Sequence, residues 1–144
     1  MKDYKSKKYK LLPNDVYVRT LWTIRSYERI EKELQDMIDE RHVEEVQVRN
    51  RTPGNPTAKI AERREKKLKE LAAIDKALNT IPTEYQQMVY DNIVHFKPMH
   101  AISGASERTL SRYRMKVIVE VARNKGYIDD VEYEAIRKYQ IRKG

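Results

Sequence analysis

Apolar side chains recur every three or four residues along the first third of the chain, which is the spacing of one helical face. The positions on this face are Tyr17, Leu21, Ile24, Tyr27, Ile30, Leu34 and Met37. The opposite face is charged, so the pattern predicts one long amphipathic helix that begins at Asn14 or Asp15 and ends near residue 40. From His42 to Val48 the period is lost, and a short extended segment through Val43, Val46 and Val48 is one interpretation. A loop is favoured, because the turn formers of Arg49–Pro56 follow.

A second long helix is predicted from Thr57 to about Asn79, with Thr57 as its N-cap. Its apolar positions are Leu68, Leu71, Ile74, Leu78 and Ile81. Its charged middle contains glutamate–lysine pairs four residues apart, which favours a solvated face over a DNA-binding patch. Together the two helices predict an all-α fold in which residues 14–79 form a long coiled-coil-like hairpin, a candidate oligomerisation region.

Residues 80–128 are predicted to form a helix-turn-helix DNA-binding domain. A third helix starts with a capping-box pattern from Thr83 to Gln86 and presents one apolar face for burial. The positions on that face are Tyr85, Met88, Val89, Ile93 and Phe96. A short helix at Met99–Ser103 and a turn at Gly104 follow, as in a unit that leads into a recognition helix.

The next helix is the candidate recognition helix, which a helix-turn-helix places in the major groove. Ser106 is expected to be its N-cap, and the helix is expected to run from Glu107 to about Asn124, with Gly126 as its C-terminal stop. The positions available for burial are Leu110, Met115, Ile118 and Val121. A capping aspartate then begins a last helix within residues 129–144.

Positive charge is concentrated in two places. The chain of 144 residues has 30 lysines and arginines against 22 aspartates and glutamates, a net charge of +8 that favours a polyanionic partner. Residues 1–13 hold five lysines and one aspartate, and residues 95–128 hold seven basic and two acidic side chains. The first region is expected to be a flexible tail, with a DNA-grasping arm as the alternative, and the second contains the recognition helix.

The recognition helix carries the residue types that read or hold DNA. Arg108 is the first candidate for direct readout, because its guanidinium can donate two hydrogen bonds to guanine, and Arg112 follows one turn later. Glu107 can accept from cytosine N4, with a favourable interaction with the helix dipole as the alternative. The remaining candidates would hold the phosphate backbone, and they are Ser106, Thr109, Ser111, Arg114, Lys116 and Lys97.

The residue patterns of enzymes and metal sites do not occur. The three histidines, His42, His95 and His100, do not share a metal-ligand spacing, and the chain has no cysteine. No phosphate-binding glycine loop is found, and neither Ser103 nor Ser106 has an acidic partner for a nucleophile triad. We therefore expect no metal, no cofactor and no enzymatic activity. No apolar run has the length of a membrane span, so a cytoplasmic protein without a membrane partner is expected.

Three phrases of the sequence resemble, in matching order, phage transcriptional regulators of the RinA type. They are Leu12–Tyr27, Gly54–Glu65 and Ile81–Ile93, the last followed by the helix-turn-helix. The C-terminal half of that family is similar to region four of bacterial sigma factors. The resemblance implies an activator of late phage genes for packaging and morphogenesis, acting in a bacterial host cell. The residues that it would place at base edges or phosphates are Glu107, Arg108, Ser111 and Arg112.

Three functions remain open on the sequence. The first is the phage activator, and the second is a small terminase subunit, which also joins a helix-turn-helix to oligomerising helices but marks DNA for packaging. The third is an interaction module whose basic helix binds an acidic protein such as a polymerase subunit. The expected partners are double-stranded DNA, host RNA polymerase in the case of an activator, and a second copy of the chain through the long helices.

Overall fold

The computed structural model of the protein describes residues 12–48, 56–99 and 106–143. Every regular element in these stretches is an α-helix, which confirms the predicted all-α class for this part of the chain. The helices are α1 (Asn14–Arg25), α2 (Tyr27–Val48), α3 (Pro56–Leu78), α4 (Thr83–His95), α5 (Glu107–Asn124) and α6 (Asp130–Lys143).

Two predicted features lie largely outside the described residues. Of the basic tail at residues 1–13, only Leu12 and Pro13 are described. Of the short helix at Met99–Ser103 and the turn at Gly104, only Met99 is described, and it has no regular secondary structure. The first helix of the helix-turn-helix therefore stays a prediction.

The described parts of residues 1–25 and 73–144 form one compact unit with α5 at its centre. Helices α1, α4 and α6 all pack against α5. The four positions predicted for burial on the recognition helix are buried, and they are Leu110, Met115, Ile118 and Val121. Leu21 and Ile24 of α1 and Val89 and Ile93 of α4 are buried as well, and both helices pack against α5. This apolar core fixes the orientation of α5.

Helix α5 ends where the sequence predicts. Gly126 has a φ of +73°, and the Tyr127 amide donates to the Ala122 carbonyl at 2.8 Å, which is the closing bond of a Schellman motif. The carboxylate of Asp129 then accepts from the Glu132 amide at 2.7 Å, and the Glu132 carboxylate accepts from the Asp129 amide at 3.4 Å. This reciprocal pair is a capping box, and it starts α6.

The prediction of one long first helix was wrong, because the structure has two helices separated at Ser26. The Ser26 carbonyl accepts from the Ile30 amide at 3.0 Å and so starts the hydrogen-bond ladder of α2. The apolar period runs through this point without interruption, so the pattern alone does not reveal the break. A tertiary contact marks it instead: the Nε atom of Arg25 donates to the Ile93 carbonyl at 2.9 Å and ties the end of α1 to α4.

The loop predicted from His42 to Val48 was also wrong, since α2 continues as a helix to Val48. The prediction rested on the loss of the apolar period and on the turn formers that follow Val48, and the segment also contains three β-branched residues, Val43, Val46 and Val48. A β-branched residue lowers helix stability by only about 0.7 kcal/mol or less. A helix that is already formed gains one backbone hydrogen bond for each added residue, so this cost does not end it.

The capping box predicted at the start of α4 does not form. Pro82, with φ −56° and ψ 139°, is the N-cap, and Thr83 is already helical, so its hydroxyl has no capping hydrogen bond. The Gln86 side chain donates instead to the Ile81 carbonyl at 3.2 Å. A capping threonine must lie outside the helix with an extended backbone, and the proline holds that position. Phe96, the last position proposed for the buried face, is 53% exposed.

Residues 26–72 form a second unit, which contains α2 and most of α3. Lys67 of α3 donates to the Glu33 carboxylate of α2, and Arg29 donates to the same carboxylate at 2.6 Å. These two hydrogen bonds, led by the one from Lys67, lower the pKa of Glu33. Leu68, a predicted seam position, is 47% exposed. A coiled-coil-like packing of the two helices stays a prediction.

Candidate nucleic-acid interface

The start of α5 is defined by the predicted N-cap. Ser106 has an extended backbone, and its Oγ accepts from the Thr109 amide at 3.2 Å. The Ser106 and Thr109 hydroxyls lie 3.0 Å apart, and the Ser106 carbonyl accepts from the Leu110 amide at 3.1 Å. The cap satisfies one of the amides that a helix leaves unpaired at its N-terminus. The remaining amides of the first turn keep the positive end of the helix dipole next to Glu107.

Three basic residues follow one another along the exposed side of α5. Arg108, Arg112 and Lys116 are all exposed, and they recur every four residues, which separates them by about 40° around the helix axis. We call these three residues the basic stripe. Within the described residues, Arg108 and Lys116 have no hydrogen bond or ion pair. Their charges are therefore directed to solvent, where a ligand could reach them.

The side of α5 opposite the basic stripe belongs to the core. Leu110, Val117, Ile118 and Val121 are completely buried there. Tyr113 stacks on Tyr85 of α4 with 5.1 Å between ring centroids. A basic stripe on a helix held in this way has a fixed spacing and direction, which is what reading consecutive base pairs requires.

Arg114 differs from the basic stripe although it lies on the same helix. Its Nε donates to the Asn92 side chain at 2.7 Å, and one terminal nitrogen donates to the Tyr17 hydroxyl at 2.7 Å. The side chain is half-buried and joins α5 to α4 and α1. Arg114 is one of the residues predicted to contact phosphate, and no sequence motif indicates Asn92 or Tyr17 as its partners. This geometry favours a structural role for Arg114.

The other candidate residues are spread over two regions. Glu107 is exposed on the first turn of α5, and Thr109 and Ser111 are half-buried on the same helix. Lys97 is exposed after α4, where its backbone carbonyl accepts from the Asn92 side chain at 2.9 Å. The structure therefore places the α5 candidates along the first ten residues of the helix and at its N-cap, while Lys97 lies on a separate segment. Asn92, which no sequence motif singled out, contacts both Lys97 and Arg114.

Within the described residues, no three histidine, aspartate or glutamate side chains come together in a way that could hold a metal ion. His95 has its Nε2 4.0 Å from the Asp91 carboxylate, one turn earlier on α4. His100 and the side chain of His42 lie outside the described residues. None of the described helices has the length and apolar content needed to cross a membrane.

The function has to be inferred from the chemistry of the chain's own side chains. No protein-family model, curated protein or solved structure matches the chain. The basic stripe is the surface whose chemistry is easiest to interpret, because it combines exposed cations with a packed, capped helix.

Proposed function

We propose that the protein is a sequence-specific DNA-binding transcriptional regulator that inserts the N-terminal half of α5 into the major groove. The observation that carries the proposal is the basic stripe, which lies exposed on a helix whose other side is buried. The major groove is wide enough for one α-helix, and it displays a different donor and acceptor pattern for each base pair. A rigid helix with exposed arginines near its N-terminus suits that groove.

Within this proposal, Arg108 and Arg112 read bases. An arginine can donate two parallel hydrogen bonds to the O6 and N7 atoms of guanine, and the spacing of one helical turn lets the two side chains reach neighbouring base pairs. Glu107, on the first turn, would accept from cytosine N4 on the adjoining pair. These contacts distinguish sequences, so their loss should relax the preference at single positions.

The remaining polar groups near the start of α5 would hold the phosphate backbone. Lys116 lies furthest along the basic stripe, where a helix in the groove approaches the strand edge. Ser106, Thr109 and Ser111 are short donors next to the amide groups of the helix start, which also attract phosphate. Lys97 would add a contact from the segment after α4. We assign Arg114 to the fold, since its guanidinium is bonded to Asn92 and Tyr17.

The test is selection of bound fragments from a phage-genome DNA library at near-physiological salt, followed by affinity measurements on the selected motif. Arg108→Ala should weaken binding to that motif by about 1–3 kcal/mol and relax the preference at one base pair. Arg137→Ala is the matched control, because it removes the same charge from an exposed position of α6. It should leave the selected motif unchanged.

Lys116→Ala should act differently, because a phosphate contact carries no sequence information. It should weaken binding to all sequences alike and reduce the slope of log affinity against log salt by about one. Lys138→Ala, another exposed α6 variant, is its control. Equal losses on selected and random DNA for both Arg108→Ala and Lys116→Ala would refute this division of roles, and no enriched motif would refute sequence-specific binding.

The biological role that we propose is activation of late phage genes, as the resemblance to RinA-type regulators implies. Its support is the combination of those sequence phrases with the capped basic helix. The positions of the selected fragments test it: a motif upstream of late genes agrees with an activator. A motif at a packaging site, together with ring-like oligomers, would indicate a small terminase subunit instead.

A further inference from the structure

The side chain of Asn92 on α4 joins two parts of the proposed DNA-binding surface that are separate in the sequence. Its Oδ1 accepts from the Nε of Arg114 on α5 at 2.7 Å. Its Nδ2 donates to the backbone carbonyl of Lys97, in the segment after α4, at 2.9 Å. The helix that carries the basic stripe and the segment that carries Lys97 are therefore bonded to the same short side chain.

The orientation of the Asn92 amide is fixed by its two partners. The guanidinium of Arg114 has only donors, and the carbonyl of Lys97 can only accept. If the amide were turned over, two donors would face each other on one side and two acceptors on the other. An ionised aspartate lacks the donor, and leucine lacks both groups. Among side chains of this size, asparagine alone can make both hydrogen bonds.

The backbone of Lys97 is held on both sides by the end of α4. Its amide donates to the Asp91 carbonyl at 3.2 Å, and its carbonyl accepts from Asn92. The Asp91 carboxylate is occupied elsewhere, because it accepts from Gln87 at 3.0 Å. The Lys97 side chain is exposed, and within the described residues it has no ion pair. An exposed cation therefore starts from a fixed point of the backbone.

The other bond of Asn92 leads to a part of α5 that is itself fixed. Arg114 is half-buried, and it also donates to the Tyr17 hydroxyl of α1 at 2.7 Å. Asparagine is a weaker helix former than alanine or leucine, so helix formation does not explain its position within α4. The link between Lys97 and α5 does explain it.

We propose that Asn92 is a positioning residue for DNA binding, which holds Lys97 in a fixed place relative to α5. The Lys97 ammonium then meets a phosphate while the basic stripe lies in the groove. Contacts to phosphate set the register of a protein on DNA, and a cation that is held in place loses less conformational entropy on binding. This inference rests on the proposed function, since it takes Lys97 as a phosphate contact.

The first test measures how the affinity for the selected DNA motif depends on salt. Each phosphate contact adds about 0.9 to the slope of log affinity against log salt. Lys97→Ala should reduce the slope by about 0.9, which corresponds to an affinity about fivefold lower at near-physiological salt. Asn92→Ala removes no charge, yet it should reduce the slope by a similar amount. Lys97→Ala should then reduce it no further in the Asn92→Ala protein, whereas independent effects would add.

Gln86→Ala is the matched control. Gln86 is also a half-buried amide of α4, and it donates to the Ile81 carbonyl at 3.2 Å, at the other end of the helix. Its loss should leave the slope unchanged. A merely structural role of Asn92 would give the same result as this control, because a lower melting temperature does not change the number of phosphates that the folded protein contacts.

The second test needs no DNA and measures hydrogen exchange of the Lys97 amide by NMR. Asn92→Asp keeps the acceptor for Arg114, so the fold is retained, but it loses the donor for the Lys97 carbonyl. In both Asn92→Asp and Asn92→Ala the Lys97 amide should exchange about tenfold faster, because the local opening of this segment becomes easier. Gln86→Ala should leave this exchange rate unchanged.

The outcomes separate this inference from the proposed function. If the unmodified protein selects no DNA motif, or if Lys97→Ala leaves the slope unchanged, the proposed phosphate contact is wrong, and the role of Asn92 in DNA binding falls with it. If Lys97→Ala reduces the slope equally with and without Asn92→Ala, the proposed function stands and Asn92 is not a positioning residue. Unchanged exchange of the Lys97 amide in both Asn92 variants would lead to the same conclusion.

Discussion

The two halves of α5 have the same secondary structure and opposite environments. The first half, Glu107–Lys116, carries the basic stripe, and much of it is open to solvent. The second half, Val117–Asn124, contains five buried residues, which are Val117, Ile118, Val119, Val121 and Ala122. Helix propensity does not explain this difference, because both halves are helical. The neighbouring helices explain it, since they surround the second half and leave one side of the first half free.

The difference shows how a small all-α domain can hold the basic stripe rigid, although helices do not surround that part of α5. The buried second half and the Schellman motif at its end fix the axis of α5, and the first half extends from that fixed part. Arg112 and Arg114 illustrate the boundary. They are two residues apart, yet Arg112 is exposed, whereas Arg114 is bonded to two other helices.

The largest effect should come from the buried half. Ile118→Ala removes a side chain with no exposed surface, so we expect the free energy of unfolding to fall by about 2–5 kcal/mol. Val131→Ala, at a position that is 79% exposed, should change it by about 0.5 kcal/mol or less. Urea unfolding followed by circular dichroism measures both. A small loss in Ile118→Ala would mean that the second half of α5 is not the anchor.

Arg114→Ala tests the boundary between the halves. It leaves the Tyr17 hydroxyl and the Asn92 side chain without their partner, so it should destabilise the fold by about 1–3 kcal/mol. Arg112→Ala is the matched variant and should cost about 0.5 kcal/mol or less in stability. In DNA affinity the order should be reversed. A more destabilising Arg112→Ala would contradict the assignment of Arg114 to the fold.

Tyr133→Phe probes the contact between the second half of α5 and α6. The buried Tyr133 hydroxyl donates to the Glu120 carboxylate, so its loss should cost about 1 kcal/mol at neutral pH. Burial, followed by this hydrogen bond, raises the pKa of Tyr133 in the folded state. Its contribution is therefore complete below the unfolded pKa of about 10 and is lost as the pH rises through the folded pKa.

The measurement is the free energy of unfolding of both proteins from neutral to alkaline pH. The unmodified protein should lose its advantage over Tyr133→Phe as the pH rises above about 10. A difference between the two proteins that grows with alkaline pH would have the opposite sign and would contradict the contact.

Ser106→Ala should have the smallest effect, because it removes a cap from the exposed end of α5. We expect a loss of about 0.5–1 kcal/mol in unfolding free energy. Ser106→Asp keeps a capping oxygen and should retain the stability, but its charge near the proposed phosphate contacts should weaken DNA binding. If Ser106→Asp binds DNA as well as the unmodified protein does, the helix start is not close to phosphate.

The predictions that hold for this chain are mainly those that depend on interactions between residues close in the sequence. The N-cap at Ser106 and the glycine stop at Gly126 are local signals, and both are confirmed. The break at Ser26 was missed because the apolar period continues through it. The cap expected at Thr83 failed because Pro82 already holds the capping position. On the candidate interface, Arg114 could not be told apart from Arg112 by sequence, since its partners are 22 and 97 residues away.

The sequence by itself determined the helical class, the span of α5, its caps and the residues of its buried side. These features depend on contacts within a few residues and on the helical period, both of which can be counted along the chain. The tertiary structure alone decided where α1 ends, which arginines of α5 are exposed, and that Asn92 joins Arg114 to Lys97. The physical reason is that each of these features depends on contacts between segments that are far apart in the sequence. Examples are the hydrogen bonds from Arg25 to the Ile93 carbonyl and from Arg114 to Asn92 and Tyr17.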